Sequence, residues 1–135
     1  MAESLAFKVH LDQTYEEALE AVTAALKGEG FGVLTHIDVR ATLKEKLGED
    51  FRPYAILGAC NPPLAHRALE ADPSIGLLLP CNIVLQSEGE NVRVSILDPE
   101  VMFAVVDPET QAKLTGLPEE VKSRLQAALS ALAEN

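Results

Sequence analysis

The chain has 135 residues, of which 47% are hydrophobic and 24% charged, as is typical of a soluble globular protein. This length predicts one domain over residues 1–135 that buries roughly two thirds of its unfolded surface. The 21 acidic and 11 basic residues give a formal charge of −10. Because this charge repels phosphate and no cluster of Lys and Arg opposes it, we expect no nucleic-acid partner.

The N-terminal region and the apolar stretches predict a protein without membrane segments. Glu3, Lys8 and Asp12 interrupt any apolar run near the start, so we predict no signal peptide. The longest apolar stretch, residues 75–81, contains a glycine and a proline and is far too short to span a bilayer. We therefore predict a cytoplasmic protein whose two cysteines are reduced unless they have a redox role.

Alternation and capping patterns predict a strand and then a helix in the first 30 residues. The capping box of Thr14 and Glu17 is typical of a helix start, and Gly28 and Gly30 are typical of its end. The strand before this helix alternates apolar with polar residues, and His10 falls on its polar face. Its apolar face comprises Leu5, Phe7, Val9 and Leu11.

A second strand is predicted over residues 31–39, followed by a short helix over residues 42–47 that ends at Gly48. His36 falls on the opposite side of this strand from its apolar residues. We therefore interpret His36, like His10, as an exposed or hydrogen-bonded histidine. The apolar side comprises Phe31, Val33, Ile37 and Val39.

The third strand, residues 54–60, is apolar on both faces, so we place it centrally in a sheet or under the surface of a partner. Asn61 follows as a helix N-cap, with Pro62 in the first turn, where its missing N–H costs nothing. This helix is predicted to end before the Asp-Pro pair at residues 72–73.

The second half of the chain predicts a hairpin and a long closing helix. Residues 83–85 and 92–96 have strand patterns, separated by turn-forming residues. Asp-Pro pairs at 98–99 and 107–108 predict caps of short helices, and an amphipathic helix is predicted from Pro118 onward. The hairpin comes late in the chain, and the amphipathic helices must bury their apolar sides against a sheet. These two features indicate an α+β fold, with a mostly antiparallel sheet and helices packed on one face.

Two cysteines, Cys60 and Cys81, each precede an asparagine where a strand pattern meets a loop or a helix. If the third and fourth strands pair antiparallel, the two thiols meet at one edge of the sheet. Cys60 also precedes a helix N-terminus, where free amides and the helix dipole lower a thiol pKa. Three interpretations stay open: small buried hydrophobes, a redox pair in which Cys60 attacks and Cys81 resolves, or ligands of a soft metal together with His66.

Motifs for a metal, a cofactor or a known type of catalysis are missing from the sequence. There is no C-x-x-C and no H-x-x-x-H, so metal binding has little support in the spacing. There is also no G-x-S-x-G, no G-x-G-x-x-G and no Walker-type loop. We therefore predict no cofactor, and the sequence leaves open whether the chain is an enzyme.

The two asparagines have a structural and a functional interpretation. Each one caps or turns the backbone beside its cysteine, or it presents an amide to a ligand at the same edge. We favour capping for Asn61 and leave both interpretations open for Asn82. The candidate ligand-binding residues at this edge are Cys60, Asn61, Pro62, Pro80, Cys81 and Asn82.

Residues 58–62, 65–72 and 78–84, with the Asp-Pro pair at 98–99 and Met102 after the hairpin, resemble the bacterial and archaeal domain-of-unknown-function 302 family. The match covers nearly the whole chain, and its most specific parts are the Cys-Asn-Pro and Leu-Pro-Cys-Asn stretches. The resemblance implies a TATA-binding-protein-like α+β fold and a homodimer. It brings no catalytic roles.

Three functions follow as hypotheses. The first is a homodimeric, non-enzymatic module that binds a small molecule or a partner at the Cys60/Cys81 edge. The second is a thiol-dependent redox enzyme or sensor that uses the same two cysteines. The third is a purely structural or interaction protein whose dimer buries the apolar outer face of the third and fourth strands.

Overall fold

A five-stranded antiparallel sheet lies at the centre of the structure, a computed structural model that describes residues 5–133. Glu3, used above to argue against a signal peptide, lies outside these residues. The strand order is β1-β5-β4-β3-β2, which confirms the α+β prediction and the antiparallel sheet. The strands are β1 (Ala6–Leu11), β2 (Gly32–Asp38), β3 (Tyr54–Cys60), β4 (Cys81–Glu88) and β5 (Asn91–Leu97).

Four of the helices begin at the capping residues that the sequence predicts. Asn61, Asp98 and Asp107 each accept a hydrogen bond from the first turn that follows, and Thr14 and Glu17 form the predicted capping box. Within residues 5–133, no helix is both long and apolar enough to cross a bilayer. The helices are α1 (Tyr15–Gly28), α2 (Val39–Leu47), α3 (Pro62–Ala71), α4 (Pro99–Phe103), α5 (Pro108–Lys113) and α6 (Leu117–Ala133), with a 3₁₀ helix at Pro73–Leu78.

The two long helices, α1 and α6, pack against each other and cover one face of the sheet, which we call the core face. The opposite side of the sheet is called the outer face below. Leu26 of α1 and Leu125 of α6 are at most 1% exposed, and each buried side chain of this size stabilises the fold by about 1.5–3 kcal/mol. The buried side chains of the core face include Leu11, Leu57, Ile83, Leu85, Val92, Val94 and Ile96.

A bulge in β2 makes the predicted facing of that strand wrong. The pairing with β3 shifts between Val33 and Thr35, which leaves Leu34 as the extra residue. Beyond the bulge, His36 lies opposite Leu57 on the core face and Ile37 lies opposite Ile56 on the outer face. Simple alternation along the sequence cannot reveal a bulge, so it assigns these two residues to the wrong faces.

The boundaries of the elements around β2 and β3 also differ from the prediction in one place. Helix α2 begins at Val39, three residues before the predicted start, because Asp38 caps it by accepting a hydrogen bond from the Ala41 amide at 2.9 Å. Val39 therefore belongs to the helix and not to the strand. Strand β3 has the predicted bounds and lies inside the sheet between β4 and β2, as its apolar sequence indicated.

Candidate functional site

The adjacent ends of β3 and β4 form one side of a cavity. Ala59 of β3 lies directly opposite Cys81 of β4, so the end of one strand is beside the start of the other. The chain leaves β3 into α3 and returns to β4 through the 3₁₀ helix, and α3 packs against both the 3₁₀ helix and α6. These elements enclose a cavity of about 250 Å³ at this end of the sheet.

The walls of this cavity are almost entirely apolar. Four of the six candidate residues line it, namely Cys60, Asn61, Pro80 and Cys81, and none of the described residues that line it is charged. A hydrocarbon surface with two thiols and one amide suits an apolar molecule better than an ion. Further wall residues come from the loop before β2 and from α3, α4 and α6, among them Phe31, Leu64, Met102, Phe103 and Val121.

Asn61 links the helix and the loop that border the cavity. Its side chain is 6% exposed; Oδ1 accepts a hydrogen bond from the Leu64 amide and Nδ2 donates one to the Glu29 carbonyl, each at 3.4 Å. Gly30 has a φ of +86°, and a methyl group there would lie 2.9 Å from the Asn61 amide nitrogen. The predicted capping role is confirmed, and the same side chain also ties α3 to the end of α1.

The two thiols occupy different parts of the cavity wall. Both cysteines are free; Cys60 is half-buried and Cys81 is buried. Because Cys81 lies opposite Ala59, the pleat directs the Cys60 side chain towards the other face of the sheet. Burial, and in second place the nearby Cys60, raises the pKa of Cys81 to about 11, so Cys81 is a neutral thiol at pH 7.

A glycine allows the outer face of the sheet to close tightly beside the cavity. Gly58 is the β3 residue two before Cys60, and the Thr35 side chain and the Pro80 ring lie over it. A methyl group at Gly58 would overlap Thr35 Oγ1 and lie 2.6 Å from Pro80 Cγ. The peptide bond between Leu79 and Pro80 is cis. Any side chain at position 58 would therefore push Thr35 or Pro80 away from the sheet.

Three candidate residues lie outside the cavity. Pro62 is exposed in the first turn of α3, and Asn82 is exposed on the outer face, opposite Gly58. His66 is also exposed on α3, with Nε2 2.9 Å from Glu70 Oε1. Within residues 5–133, no three His, Cys, Asp or Glu side chains come together as a metal site, so His66 does not join the two cysteines as a ligand set.

Comparison with protein families gives the same assignment as the sequence motifs. The family model described as "Domain of unknown function DUF302" matches residues 7–132. The chain belongs to this family. A crystal structure of the uncharacterized conserved protein DUF302 from Bacillus stearothermophilus superimposes with a TM-score of 0.84 at 31% identity, covering 95% of this chain and 98% of that one. No curated protein matches the chain.

Several residues that line the cavity of this DUF302 domain could not be assigned to the site from the sequence. Met102 and Phe103 follow the Asp98 cap that marks α4, but nothing in the pattern shows which end of the sheet α4 reaches. Leu34 lines the cavity because the bulge turns it there, and it is 67% exposed. Val121 lies on α6, and only the packing of α3 on α6 brings it to the site.

Proposed function

We propose that this chain binds a small, neutral, apolar molecule in the cavity at the ends of β3 and β4. The observation that carries the proposal is an uncharged cavity of about 250 Å³ at the strand ends where both cysteines lie. Leu34 and Leu69, two wall residues that are 67% and 38% exposed, mark the side from which a ligand enters. Free thiols suit a reducing compartment, so we propose this role for a cytoplasmic protein.

The volume sets the size of the ligand. An apolar cavity of about 150 Å³ in another protein holds benzene, which has six carbon atoms. By the same ratio, 250 Å³ holds on the order of ten non-hydrogen atoms. A medium-chain alcohol, a bicyclic aromatic compound or a short terpenoid has this size.

The charges around the site favour a neutral ligand over an anion. No described wall residue is a cation that could pair with a carboxylate, and the chain as a whole carries −10. Moving a carboxylate from water into an unpaired apolar site costs several kcal/mol, whereas a hydroxyl group costs far less. An alcohol should therefore bind more tightly than the acid of the same chain length.

The empty space is also costly for the folded protein, which gives a ligand a stabilising effect. At about 24 cal/mol per Å³, an unfilled cavity of 250 Å³ costs at most about 6 kcal/mol, and less where it is open to water. This figure is comparable to the whole stability of a small domain, about 5–15 kcal/mol. A molecule that fills the cavity restores the missing van der Waals contacts and raises the melting temperature.

Titration calorimetry with 1-octanol and octanoate tests the proposal. Nine non-hydrogen atoms at about 0.6 kcal/mol each, within the range of efficiencies found for small ligands, give about 5.4 kcal/mol and predict a dissociation constant on the order of 0.1 mM for octanol. We expect octanoate to bind at least tenfold more weakly. Equal binding of the two ligands, or none at the solubility limit of octanol, would refute an apolar site.

A substitution that fills part of the cavity provides a second test, and the same substitution outside the cavity is its matched control. Ala65→Leu adds three carbon atoms to a wall residue, roughly a third of the volume at about 30 Å³ each. Ala24→Leu makes the same change on an exposed position of α1. We expect Ala65→Leu to weaken octanol binding at least tenfold at unchanged or higher melting temperature, and Ala24→Leu to leave binding unchanged. Weakening by both variants, or by neither, would place octanol elsewhere.

We propose the thiol-dependent function as the alternative, because both free cysteines line one cavity and, although the pleat separates their directions, Cys60 is near enough to contribute to the raised pKa of Cys81. In this reaction, hydrogen peroxide accepts two electrons and two protons from the Cys60 and Cys81 thiols, which yields a disulfide and two water molecules. Mass spectrometry of peroxide-treated protein should show a loss of two hydrogen atoms that is absent in Cys60→Ser. Sulfinic acid on Cys60 with no disulfide would reject the pair.

A further inference from the structure

Cys60 lies where the apolar cavity opens to solvent. It is half-buried, and it lines the cavity together with the largely exposed Leu34. The residue directly opposite Cys60 on β2 is Gly32, where a methyl group would meet nothing within 4 Å. Directly opposite residues on paired strands place their side chains on the same side of the sheet, so a glycine at position 32 leaves Cys60 uncovered there. A reagent can therefore reach this thiol from solvent and from the cavity.

Cys81 is the less reactive of the two thiols in the cavity wall. It is buried, and this burial raises the pKa of Cys81 to about 11, which leaves very little thiolate at pH 7. The thiolate is the form of cysteine that attacks carbon. Of the two cysteines, Cys60 is therefore the one that combines access to solvent with a place in the cavity wall.

The first turn of α3 gives Cys60 no free amide. Pro62 and Pro63 have no N–H, and the Leu64 amide donates its hydrogen bond to Asn61 Oδ1 at 3.4 Å. The free amides that the sequence led us to expect beside the thiol are therefore missing from residues 62–64. The selectivity of Cys60 then depends on what the cavity holds beside it and not on hydrogen bonds from the helix.

The geometry points to a further activity of this site, in which Cys60 forms a covalent bond with a neutral, medium-chain α,β-unsaturated ketone or aldehyde whose tail occupies the cavity. This activity rests on the proposed function, because the cavity must first bind the tail. The sulfur attacks the β-carbon and the π bond of the C=C group breaks. The thiol proton passes to water and the α-carbon takes a proton from water, so a thioether forms without an oxidant or a reductant.

A conjugated carbonyl compound matches the cavity in charge and in size. It is neutral, and none of the described wall residues is charged. One such compound, 1-octen-3-one, has nine non-hydrogen atoms, and the cavity holds on the order of ten. A bound enone meets Cys60 at an effective concentration of about 1 mM or more. With a dissociation constant on the order of 0.1 mM, this predicts a reaction at least tenfold faster than without the cavity.

Mass spectrometry with peptide mapping tests this activity on the full chain. The reagents are 1-octen-3-one and 3-buten-2-one, which carry the same reactive group with and without a hydrocarbon tail. Each rate is divided by the rate of the same reagent with glutathione. On this scale, we expect Cys60 to react with octenone at least tenfold faster than with butenone. Octanol at 1 mM should slow the octenone reaction at least threefold and leave the butenone reaction unchanged.

Two substitutions separate binding of the tail from access to the thiol. Ala65→Leu fills part of the cavity, so it should slow the octenone reaction at least fivefold and leave the butenone reaction unchanged. Gly32→Val places a side chain beside Cys60 in open space, so it should slow both reactions at least threefold. Ala24→Leu on the exposed side of α1 is the control and should change neither rate.

The calorimetric test of octanol binding distinguishes failure of this proposal from failure of the site. Octanol binding together with equal scaled rates for octenone and butenone would overturn the covalent activity and leave the apolar site standing. An adduct mainly on Cys81, or a preference for octenone that octanol does not reduce, would also overturn it. Absence of octanol binding would refute the site, and the covalent activity with it.

Discussion

The core between the sheet and the long helices and the cavity at the strand ends are built from the same residue types but differ in packing. Ile83, Leu85 and Leu125 of the core are completely buried. Leu64 and Val121 are 6% exposed, and each has one side facing empty space. Hydrophobic composition therefore does not distinguish a sealed core from a binding cavity; the length and placement of the surrounding helices do.

Helix length explains why one region is sealed and the other is open. Helices α1 and α6 have 14 and 17 residues and cross the core face over most of the length of the strands. The cavity is instead bordered by α3 and α4, which have 10 and 5 residues and begin at fixed Asn and Asp caps. Short helices that are held at their N-termini cannot shift to fill the space between them, so the gap remains.

The largest expected effect comes from one substitution made in both regions. Leu125→Ala removes a completely enclosed side chain and should lower the free energy of unfolding by about 3–5 kcal/mol. Leu64→Ala removes a side chain that already borders a void, so we expect a loss of about 2 kcal/mol. Urea unfolding of the two variants measures the difference. Equal losses would mean that the cavity is as well filled as the core.

A smaller effect is expected at the closed side of the cavity. Gly58→Ala forces the Thr35 side chain and the Pro80 ring apart, and we expect a destabilisation of about 1–3 kcal/mol. Gly28→Ala is the control, because a methyl group at the end of α1 meets nothing within 4 Å and should stabilise by up to about 1 kcal/mol. A neutral Gly58→Ala would show that Pro80 is not packed against the sheet.

Replacing a helix cap by Ala should cost more free energy of unfolding where the cap is buried than where it is exposed. Asn61→Ala removes both the α3 cap and the hydrogen bond to Glu29, so we expect a loss of about 1–2 kcal/mol in the free energy of unfolding. Asp38→Ala removes the cap of α2, a helix without buried residues, and should cost about 0.5–1 kcal/mol. The reverse order would contradict a tie between α3 and the loop after α1.

The smallest predicted effect concerns alkaline pH. Burial raises the pKa of Cys81 from 9.0 to about 11, so above pH 9 the unfolded chain ionises while the folded chain keeps its proton. The stability that this thiol contributes is present below pH 9 and decreases as pH rises towards 11, by about 1 kcal/mol at pH 10. In urea unfolding at pH 8 and pH 10, Cys81→Ala should lack this part of the decrease. An identical decrease in both proteins would place Cys81 in contact with water.

Patterns that depend on neighbouring residues could be predicted from the sequence, and features that depend on distant residues could not. The caps at Thr14, Asn61 and Asp98 and the bounds of β3 follow from local chemistry. Antiparallel pairing of adjacent strands brings Cys60 and Cys81 to one cavity, as the sequence indicated.

The remainder of the site depends on tertiary packing. The bulge at Leu34 reverses the facing of half of β2, and no residue type marks it in the sequence. The cavity itself arises because α3 and α4 leave a gap, which is a property of where helices end relative to one another. For the same reason Asn82, equivalent to Asn61 in its local sequence, lies on the outer face and away from the cavity.

Methyl-resolved NMR of the Leu, Val and Met side chains during an octanol titration tests the central claim most directly. We expect saturable shifts for Leu64, Val121 and Met102 around the cavity, while Leu85, Val94 and Leu125 in the sealed core stay unchanged. Shifts confined to Val84 and other side chains of the outer face, or no saturable shift at the cavity, would contradict the assignment of this region as a binding site.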